Sequence, residues 1–481
     1  MTDNEVGLRS ERGPVLIAVM LSTGLVAIDA TIIATAVPSI VKEIGGFTEF
    51  PWLFSIYLLA QAVSVPIYGK LNDLFGRKPV ILWGIGLFLL GSILCGLAWS
   101  IWPLIIFRVV QGLGAGAIMP TTITIVGDLY SVRERAKVQG YVASVWGISS
   151  VVGPTLGGVF AEWVSWRWIF FVNIPLCLLA GVMILRGFKE RIDRRTTAID
   201  YRGAALLTVG LTLVILGVLE GGQAWAWDSP ISLAVLGVGL VLLVVFGFVE
   251  RTAAAPVLPL WVFRRRLLVT SGQLAVGVGA ILIGLSSYVP VYVQDVLGSG
   301  PLVAGFALAA LTLGWPISAS QAGKVYLRVG FRACALIGMA LVLAGVALLL
   351  LLDQQSSVFE VGAFCLVIGF GMGLTAAPTL IAAQSSVGWA DRGVVTANNI
   401  FLRSVGSAVG AAVFGAIANA VVGTGAVDPA RLTDAVHRIF IGMLLVAVVM
   451  VVLAALIPRA ADAATAEPAA VADGDRRVPA E

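Results

Sequence analysis

Two opposite charges sit in this sequence where charge is costly. Asp29 lies inside a long apolar run, nine residues before Pro38, and Arg108 lies early in another. At 1.5 Å per helical residue, Asp29 is about 13 Å below the end of its helix. A carboxylate this deep faces a cavity or a partner. Two uses fit it: a group that takes up and releases protons, or a permanent ion pair that fixes helix packing. Arg108 stands about five residues into its segment, a depth that overlaps that of Asp29 and makes it the expected partner. It could equally hold helices together by donating to backbone carbonyls. A third deep charge, Arg403, follows Asn398 and Asn399 by about one turn. These three could line the inner half of a cavity or bind an anionic group of a substrate. Alternatively the long Arg403 side chain snorkels to the membrane surface.

Other chemistries are excluded. His437 is the only histidine, which leaves no Ser-His-Asp set and no HExxH. The four cysteines, Cys95, Cys177, Cys334 and Cys365, are far apart and inside apolar stretches, so they give neither a disulfide framework nor metal-ligand spacing. There is no Gly-x4-Gly-Lys-Ser/Thr loop to cradle ATP. The net charge of +4 is too small to suggest nucleic acid. The sequence therefore reads as a non-enzyme with no metal and no cofactor. Its work must draw on a gradient, most simply of protons through Asp29.

The elements that carry these residues follow from composition. Of 481 residues, 59% are hydrophobic and 12% are charged, whereas a soluble domain carries about 25% charged residues. Fourteen apolar segments recur, from about 14–38 to about 439–457, each near the ~20 residues that a spanning helix needs. Helices are required because backbone polar groups in lipid must be satisfied within the segment. With the N-terminus in the cytoplasm, 25 of the 31 Lys and Arg fall on the inner side. That asymmetry predicts a multi-pass protein of the bacterial cytoplasmic membrane with both termini inside. Ala34-Thr35-Ala36 imitates a signal-peptide cleavage site, but the apolar run is too long and carries Asp29, so the first span reads as retained. Trp52, Trp225 and Trp227 read as interfacial belt residues.

The chain also repeats itself. Gly69-Lys70-Leu71-Asn72-Asp73-Leu74-Phe75-Gly76-Arg77-Lys78 and Gly323-Lys324-Val325-Tyr326-Leu327-Arg328-Val329-Gly330-Phe331-Arg332 share the same glycine spacing. Gly112, Gly114 and Gly116 before Pro120 match Gly369, Gly371 and Gly373 before Pro378, and Gly153 matches Gly410. The expected fold is an all-α membrane protein of 14 helices. A cytoplasmic N-terminus (1–13) precedes a six-helix bundle (14–200) and two inserted helices (201–255). A second, pseudo-symmetric six-helix bundle (256–458) and a disordered cytoplasmic tail (459–481) follow. Parallel halves of this kind place a transport site between them near the midplane.

At these residues the chain resembles the major facilitator superfamily, in its fourteen-span drug/proton antiporter branch. Gly69 to Lys78 resembles the superfamily's loop motif between spans two and three. Asp29 to Pro38 resembles the branch's first-span motif, and Arg108 to Gly114 the fourth-span motif. Gly147, Gly153-Pro154 and Gly157-Gly158 resemble the fifth-span motif of exporters, and Trp166 to Pro175 also fits the branch. The resemblance covers about residues 14–457. It implies proton coupling at Asp29 and Arg108, and a conformational latch at Gly69, Asp73, Gly76, Arg77 and Lys78. In the second half Leu327 replaces Asp73, Ala411 replaces Pro154 and Phe414 replaces Gly157, so the halves should not move identically.

By chemistry, Asp73 can stabilise a neighbouring helix N-terminus through its dipole. Gly153-x-x-x-Gly157 offers a small-residue face, and Pro154 bends its helix. Tyr57, Gln61, Trp146, Gln273, Tyr288 and Trp315 are candidates to line a substrate cavity, where aromatic faces suit lipophilic or cationic molecules. Trp and Tyr near span ends are more often interfacial anchors. The leading expectation is a proton-coupled exporter of lipophilic, often cationic drugs, a multidrug efflux transporter that confers antibiotic resistance. An exporter of an amino acid, a siderophore or a lipid on the same fold is the alternative. A non-transporting membrane sensor or scaffold is a third reading.

Overall fold

The structure, a computed structural model, describes residues 7–8, 10–130, 132–190, 200–221, 224–253, 256, 258, 260–388, 392–422 and 429–459. Within the helices, the side chains of 66, 70, 73, 127–128, 132–137, 139–140, 143, 150, 392–393, 397 and 429 are not described. The tail expected to be disordered therefore lies, beyond residue 459, outside the described residues.

Among the described residues the regular elements are helical, apart from one isolated bridge between Gly221 and Trp225. The first half holds α1 (Gly13–Ile44), α2 (Phe50–Phe75), α3 (Arg77–Gly96), α4 (Ile101–Leu129), α5 (Val132–Trp163), the short α6 (Trp168–Phe171) and α7 (Asn173–Gly187). Next come α8 (Tyr201–Glu220) and α9 (Pro230–Glu250). The second half holds α10 (Arg266–Val291), α11 (Pro301–Leu349), α12 (Val358–Ser385), α13 (Arg392–Val422) and α14 (Pro429–Ala455). Starts are set by local chemistry. Ser357 and Glu360 form a reciprocal capping box on α12, and Asp200 and Ser229 cap α8 and α9.

Among the described residues, thirteen helical stretches are long and apolar enough to cross a bilayer. One of them, α11, has 49 residues and breaks at Gly330, where φ is 84° and ψ 163°. Its repeat partner Gly76 has φ 91° and ψ 164° and separates α2 from α3. Both glycines hold a left-handed backbone that other residues resist, so the same turn recurs in each half.

Packing follows the repeat. In the first half α1 lies on α5 and α7, and α4 lies on α2 and α3; in the second, α10 lies on α13 and α14, and α11 on α12. The helices α8 and α9 pair with each other, and α8 leans on α2 and α13. The halves meet through α5 with α11, α2 with α13, and α1 with α10. The first two contacts exchange under the repeat. A Cβ on Gly158 of α5 would sit 2.6 Å from Leu302 at the start of α11, and one on Gly415 of α13 would sit 2.5 Å from Pro51 at the start of α2.

The side-chain hydrogen bonds described between the halves cluster at the end that carries the turn at 45–49. Gln294 donates to the Thr35 carbonyl (3.1 Å), and Asn419 donates to the Thr48 carbonyl (2.9 Å). The Leu302 N–H donates to Glu162 (3.2 Å), and Ser55 donates to the Ala408 carbonyl (3.1 Å). The apolar core shows the same polarity. Ile40, Phe50, Trp166, Tyr288, Leu349 and Ile439 belong to one cluster that joins both halves at this end. Toward the opposite end, Leu16, Ile81, Val126 and Ile184 form a core of the first half alone, and Val262, Leu268 and Val387 form one of the second. Trp52, expected in the interfacial belt, is buried, because its indole N–H reaches Glu220 of α8 at 3.0 Å.

Candidate functional site

Asp29 and Arg108 meet inside the first half, each about 1% exposed. Asp29 Oδ2 accepts from Arg108 Nη1 at 2.7 Å, and Oδ1 accepts from Gln111 Nε2 at 2.7 Å. Arg108 also donates through Nη1 to Gln111 Oε1 (2.7 Å) and through Nε to the Leu53 carbonyl (3.2 Å). Its guanidinium carbon stands 3.9 Å from the centre of the Tyr57 ring, a cation–π contact. Gln111 and Asn173 of α7 both donate to Ser92 of α3, at 2.9 and 3.3 Å, and Asn173 approaches Asp29 at 3.5 Å. Four helices thus supply polar side chains to one sealed network, and a fifth, α2, supplies the Leu53 carbonyl and the aromatic face.

The sequence builds this network by spacing and by small residues. Arg108 and Gln111 stand three apart, so they share one face of α4. A Cβ on Gly91 would fall 2.5 Å from the Gln111 nitrogen, and one on Gly112 would fall 2.6 Å from the Tyr57 carbonyl oxygen. These glycines let α3 and α2 close on α4, which brings Ser92 to Gln111 and Tyr57 to Arg108. A buried pair keeps its charges only when further hydrogen bonds satisfy what the pair leaves over, and Gln111, Leu53 and Asn173 do so here. The Tyr57 hydroxyl is buried beside Asp29. The network can hold one positive and one negative charge in balance, and the arrival of a proton on Asp29 would unbalance it.

The structure brings together Asp29, Arg108 and Tyr57, although Tyr57 had been expected to line an open cavity. Tyr288 is similarly closed off, 2% exposed and edge-on to Phe50 at 5.5 Å. Gln61, Trp146 and Trp315 are half-buried, and Gln273 is exposed. In the second half Asn399 donates weakly to Ser271 (3.4 Å), and the Asn398 amide oxygen is buried without a partner. Arg403 is half-buried on α13, remote in sequence and fold from the Asp29 network.

At the turn between α2 and α3, Glu190 caps the start of α3. Its two carboxylate oxygens accept the backbone N–H groups of Arg77 (2.8 Å) and Lys78 (2.9 Å), and the Arg77 guanidinium lies 3.9 Å away. Glu190 also fills the space a Cβ on Gly76 would take. Lys78 Nζ donates to the Leu185 and Phe188 carbonyls at 2.8 Å. The Asp73 side chain lies outside the described residues, and nothing approaches within 4 Å of a Cβ at Gly69.

The α5 motif is a close-packing surface. A Cβ on Gly153 would meet Thr31 of α1 at 1.9 Å, and one on Gly157 would meet Thr35 at 2.2 Å. Thr35 donates across to the Pro154 carbonyl at 3.3 Å. Gly147 faces Pro316 of α11 at 3.8 Å, and Gly158 faces Leu302. Phe414, in the place of Gly157, is buried and its ring abuts Gly284 of α10, so the second half reverses which helix supplies the bulk.

Sequence reasoning overlooked Gln111, Ser92, Asn173 and Glu190 as site residues. Only Gln111 carried a local signal, its place one turn after Arg108.

Residues 19–411 match the Major Facilitator Superfamily. Multidrug resistance protein 3 of Bacillus subtilis (strain 168) is 35% identical over 403 residues, 84% of this chain and 79% of that protein. Multidrug transporter protein MdtP of the same organism is 33% identical, covering 87% and 78%. The crystal structure of a bacterial homolog to the human lysosomal transporter Spinster, in an inward-facing and unoccupied conformation, aligns with a TM-score of 0.65 at 16% identity. That alignment covers 94% of this chain and 98% of that one, and it shows a shared fold. The chain belongs to the Major Facilitator Superfamily.

Proposed function

We propose that this chain exports lipophilic small molecules in exchange for protons, by alternating access between its two halves. The observation that carries the reading is the sealed Asp29–Arg108–Gln111 network. Protonation of Asp29 removes the charge that Arg108 balances at 2.7 Å, and in a low-dielectric interior that change is large compared with ordinary packing terms. Arg108 keeps its Leu53, Gln111 and Tyr57 contacts, so the proton shifts the balance between helices α1, α2 and α4. Each of these helices also carries the seam between halves or packs directly on a helix that does.

The basic loops support placing both termini in the cytoplasm, with fourteen crossings once α11 is divided at Gly330. In that orientation the 45–49 end, where the hydrogen bonds between the halves gather, is extracytoplasmic. The multidrug relatives support a small-molecule cargo. A sensor on the same scaffold would not need a protonatable group that is insulated from ligand.

The test is cargo accumulation in an efflux-deficient host, and in vesicles with an imposed pH gradient, for the natural chain and Asp29→Asn at equal protein levels. The natural chain should lower accumulation of part of a lipophilic panel, and Asp29→Asn should abolish gradient-driven movement. Efflux that persists in Asp29→Asn refutes the coupling, and no efflux by either chain favours the sensor.

A further inference from the structure

Where α5 meets α1, the contact is tight at one end and loose at the other. A Cβ on Gly157 would run into the Ile32 carbonyl, and one on Gly153 would run into Thr31. Nearer the start of α1, a Cβ on Gly24 would meet only the Val145 side chain, at an ordinary 3.4 Å. Here the side chains leave an apolar cavity of about 430 Å³. Ile17, Leu21, Gly24 and Ile28 supply its α1 wall, at a spacing that puts them on one helix face. Val145 of α5 and Leu176 of α7 also line it. Leu8 and Ile148, 44% and 61% exposed, complete its rim.

Two properties decide what fits this cavity. The first is chemistry. Ser149 is the one polar side chain in the lining, and its backbone carbonyl is already taken by Thr31. A polar group carried inside would lose water and gain almost no partner. The second is reach. Ile17 and Ile28 are eleven residues apart, about 16 Å along the helix axis. Half of a ~30 Å hydrocarbon core is about 15 Å. The cavity therefore runs the depth of one leaflet, starting just past the exposed Glu11 and Arg12. An apolar void of about 150 Å³ already takes up benzene, and a larger one inside a bilayer borders a solvent of alkyl chains. Lipid is as apolar as leucine, so the gain on filling is the dispersion contact that the lining otherwise lacks.

We propose that this cavity binds one acyl chain of a membrane phospholipid, from the leaflet nearer the start of α1, with the headgroup outside the fold and the chain end beside Ile28 and Leu176. Ile28 precedes Asp29, and Leu176 lies one turn after Asn173, so the chain ends against the next neighbours of two members of the buried network. It stands between α1, which carries Asp29, and α5, which packs on α11 of the second half. The site goes beyond the exporter reading and does not depend on it, since it needs neither cargo nor proton.

Photolabelling tests this on the purified natural chain in a steroid-based detergent, which brings no alkyl chain of its own. Two phosphatidylcholine probes carry a diazirine, one near the methyl end of an acyl chain and one near its ester. The methyl-end probe should label Ile28 and Leu176, and the ester-end probe should label Leu8 and Ile17. Leu240 and Val244, on the exposed face of α9, report ordinary annular lipid and should be labelled by both. Gly24→Leu fills the cavity from its wall and should abolish labelling at Ile28 while α9 is labelled as before. Ile148→Trp, a change at an exposed position, should narrow the rim and reduce the same labelling if Gly24→Leu fails to fold. One further arm needs no variant. Excess long-chain phosphatidylcholine should displace the probe from Ile28, and a short-chain lipid that cannot reach this depth should not. No labelling at Ile28, labelling there by both probes alike, labelling that survives both variants, or equal displacement by both lipids overturns the proposal. Displacement by phenanthrene, which is apolar but compact, would assign the cavity to ring systems and also overturn it. Because no gradient enters the measurement, failure here leaves proton coupling at Asp29 standing. Conversely, an inactive Asp29→Asn chain that keeps the labelling pattern leaves the acyl-chain site standing.

Discussion

Glu190 accepts the backbone N–H of Lys78 at 2.9 Å, while the Lys78 ammonium returns to the Phe188 carbonyl at 2.8 Å. A carboxylate thus sits on the start of α3 and an ammonium on the end of α7, and both signs suit the helix dipoles. The two helix ends are tied into one unit beside the Gly76 turn. Glu190→Ala leaves two backbone donors unmet and should cost about 1 kcal/mol, the scale of a lost helix cap. A lower thermal midpoint in detergent is expected, and an unchanged midpoint would mean that the tie carries no weight.

The buried pair predicts strong coupling. Asp29→Asn and Arg108→Gln should each destabilise by about 3–5 kcal/mol, because each strands the other's charge. The double substitution should cost clearly less than the sum. Unfolding of the four proteins, from one detergent, gives the cycle. Additive losses would show that the two charges are energetically independent despite their 2.7 Å separation.

Gly157 and Gly181 separate packing from composition. A Cβ at Gly157 meets the Ile32 carbonyl at 2.3 Å, backbone that cannot turn aside, whereas nothing lies within 4 Å of one at Gly181. Gly157→Ala should destabilise by about 1–3 kcal/mol through overpacking and slow transport. Gly181→Ala should match the natural chain in both, and a fall in the Gly181 variant equal to that at Gly157 would remove the argument from α1–α5 contact.

The 45–49 end can be trapped. Glu162→Cys with Leu302→Cys places a thiol on each half where a carboxylate now holds an amide at 3.2 Å. The four native cysteines are buried and should not compete for a polar cross-linker. A short bismaleimide should join the pair in the resting protein and reduce efflux at least about 10-fold, consistent with a rate-limiting conformational step. Ready cross-linking with full efflux would mean that this end need not open.

The long apolar runs and the paired glycine turns made the helical fold readable from the sequence, since lipid leaves a chain few choices. Asp29 and Arg108 were legible by the same reasoning, because charge at depth is rare enough to be noticed. Gln111, Ser92 and Asn173 were not, as neutral polar residues are common in such helices and only their angular placement on α3, α4 and α7 unites them. Tyr57 shows the converse limit. Its type suggested a cavity wall, but the glycine opposite it on α4 drew it inward under Arg108. Glu190 lies just after the sixth apolar segment, where nothing local connects it with residues 77 and 78.

The matched contacts of Gly158 with Leu302 and of Gly415 with Pro51 have a mechanical consequence. At Gly158 the neighbour is the Leu302 backbone, and at Gly415 it is the Pro51 ring, neither of which can swing aside. Any side chain larger than hydrogen at either glycine would therefore wedge the two halves apart at the end they share.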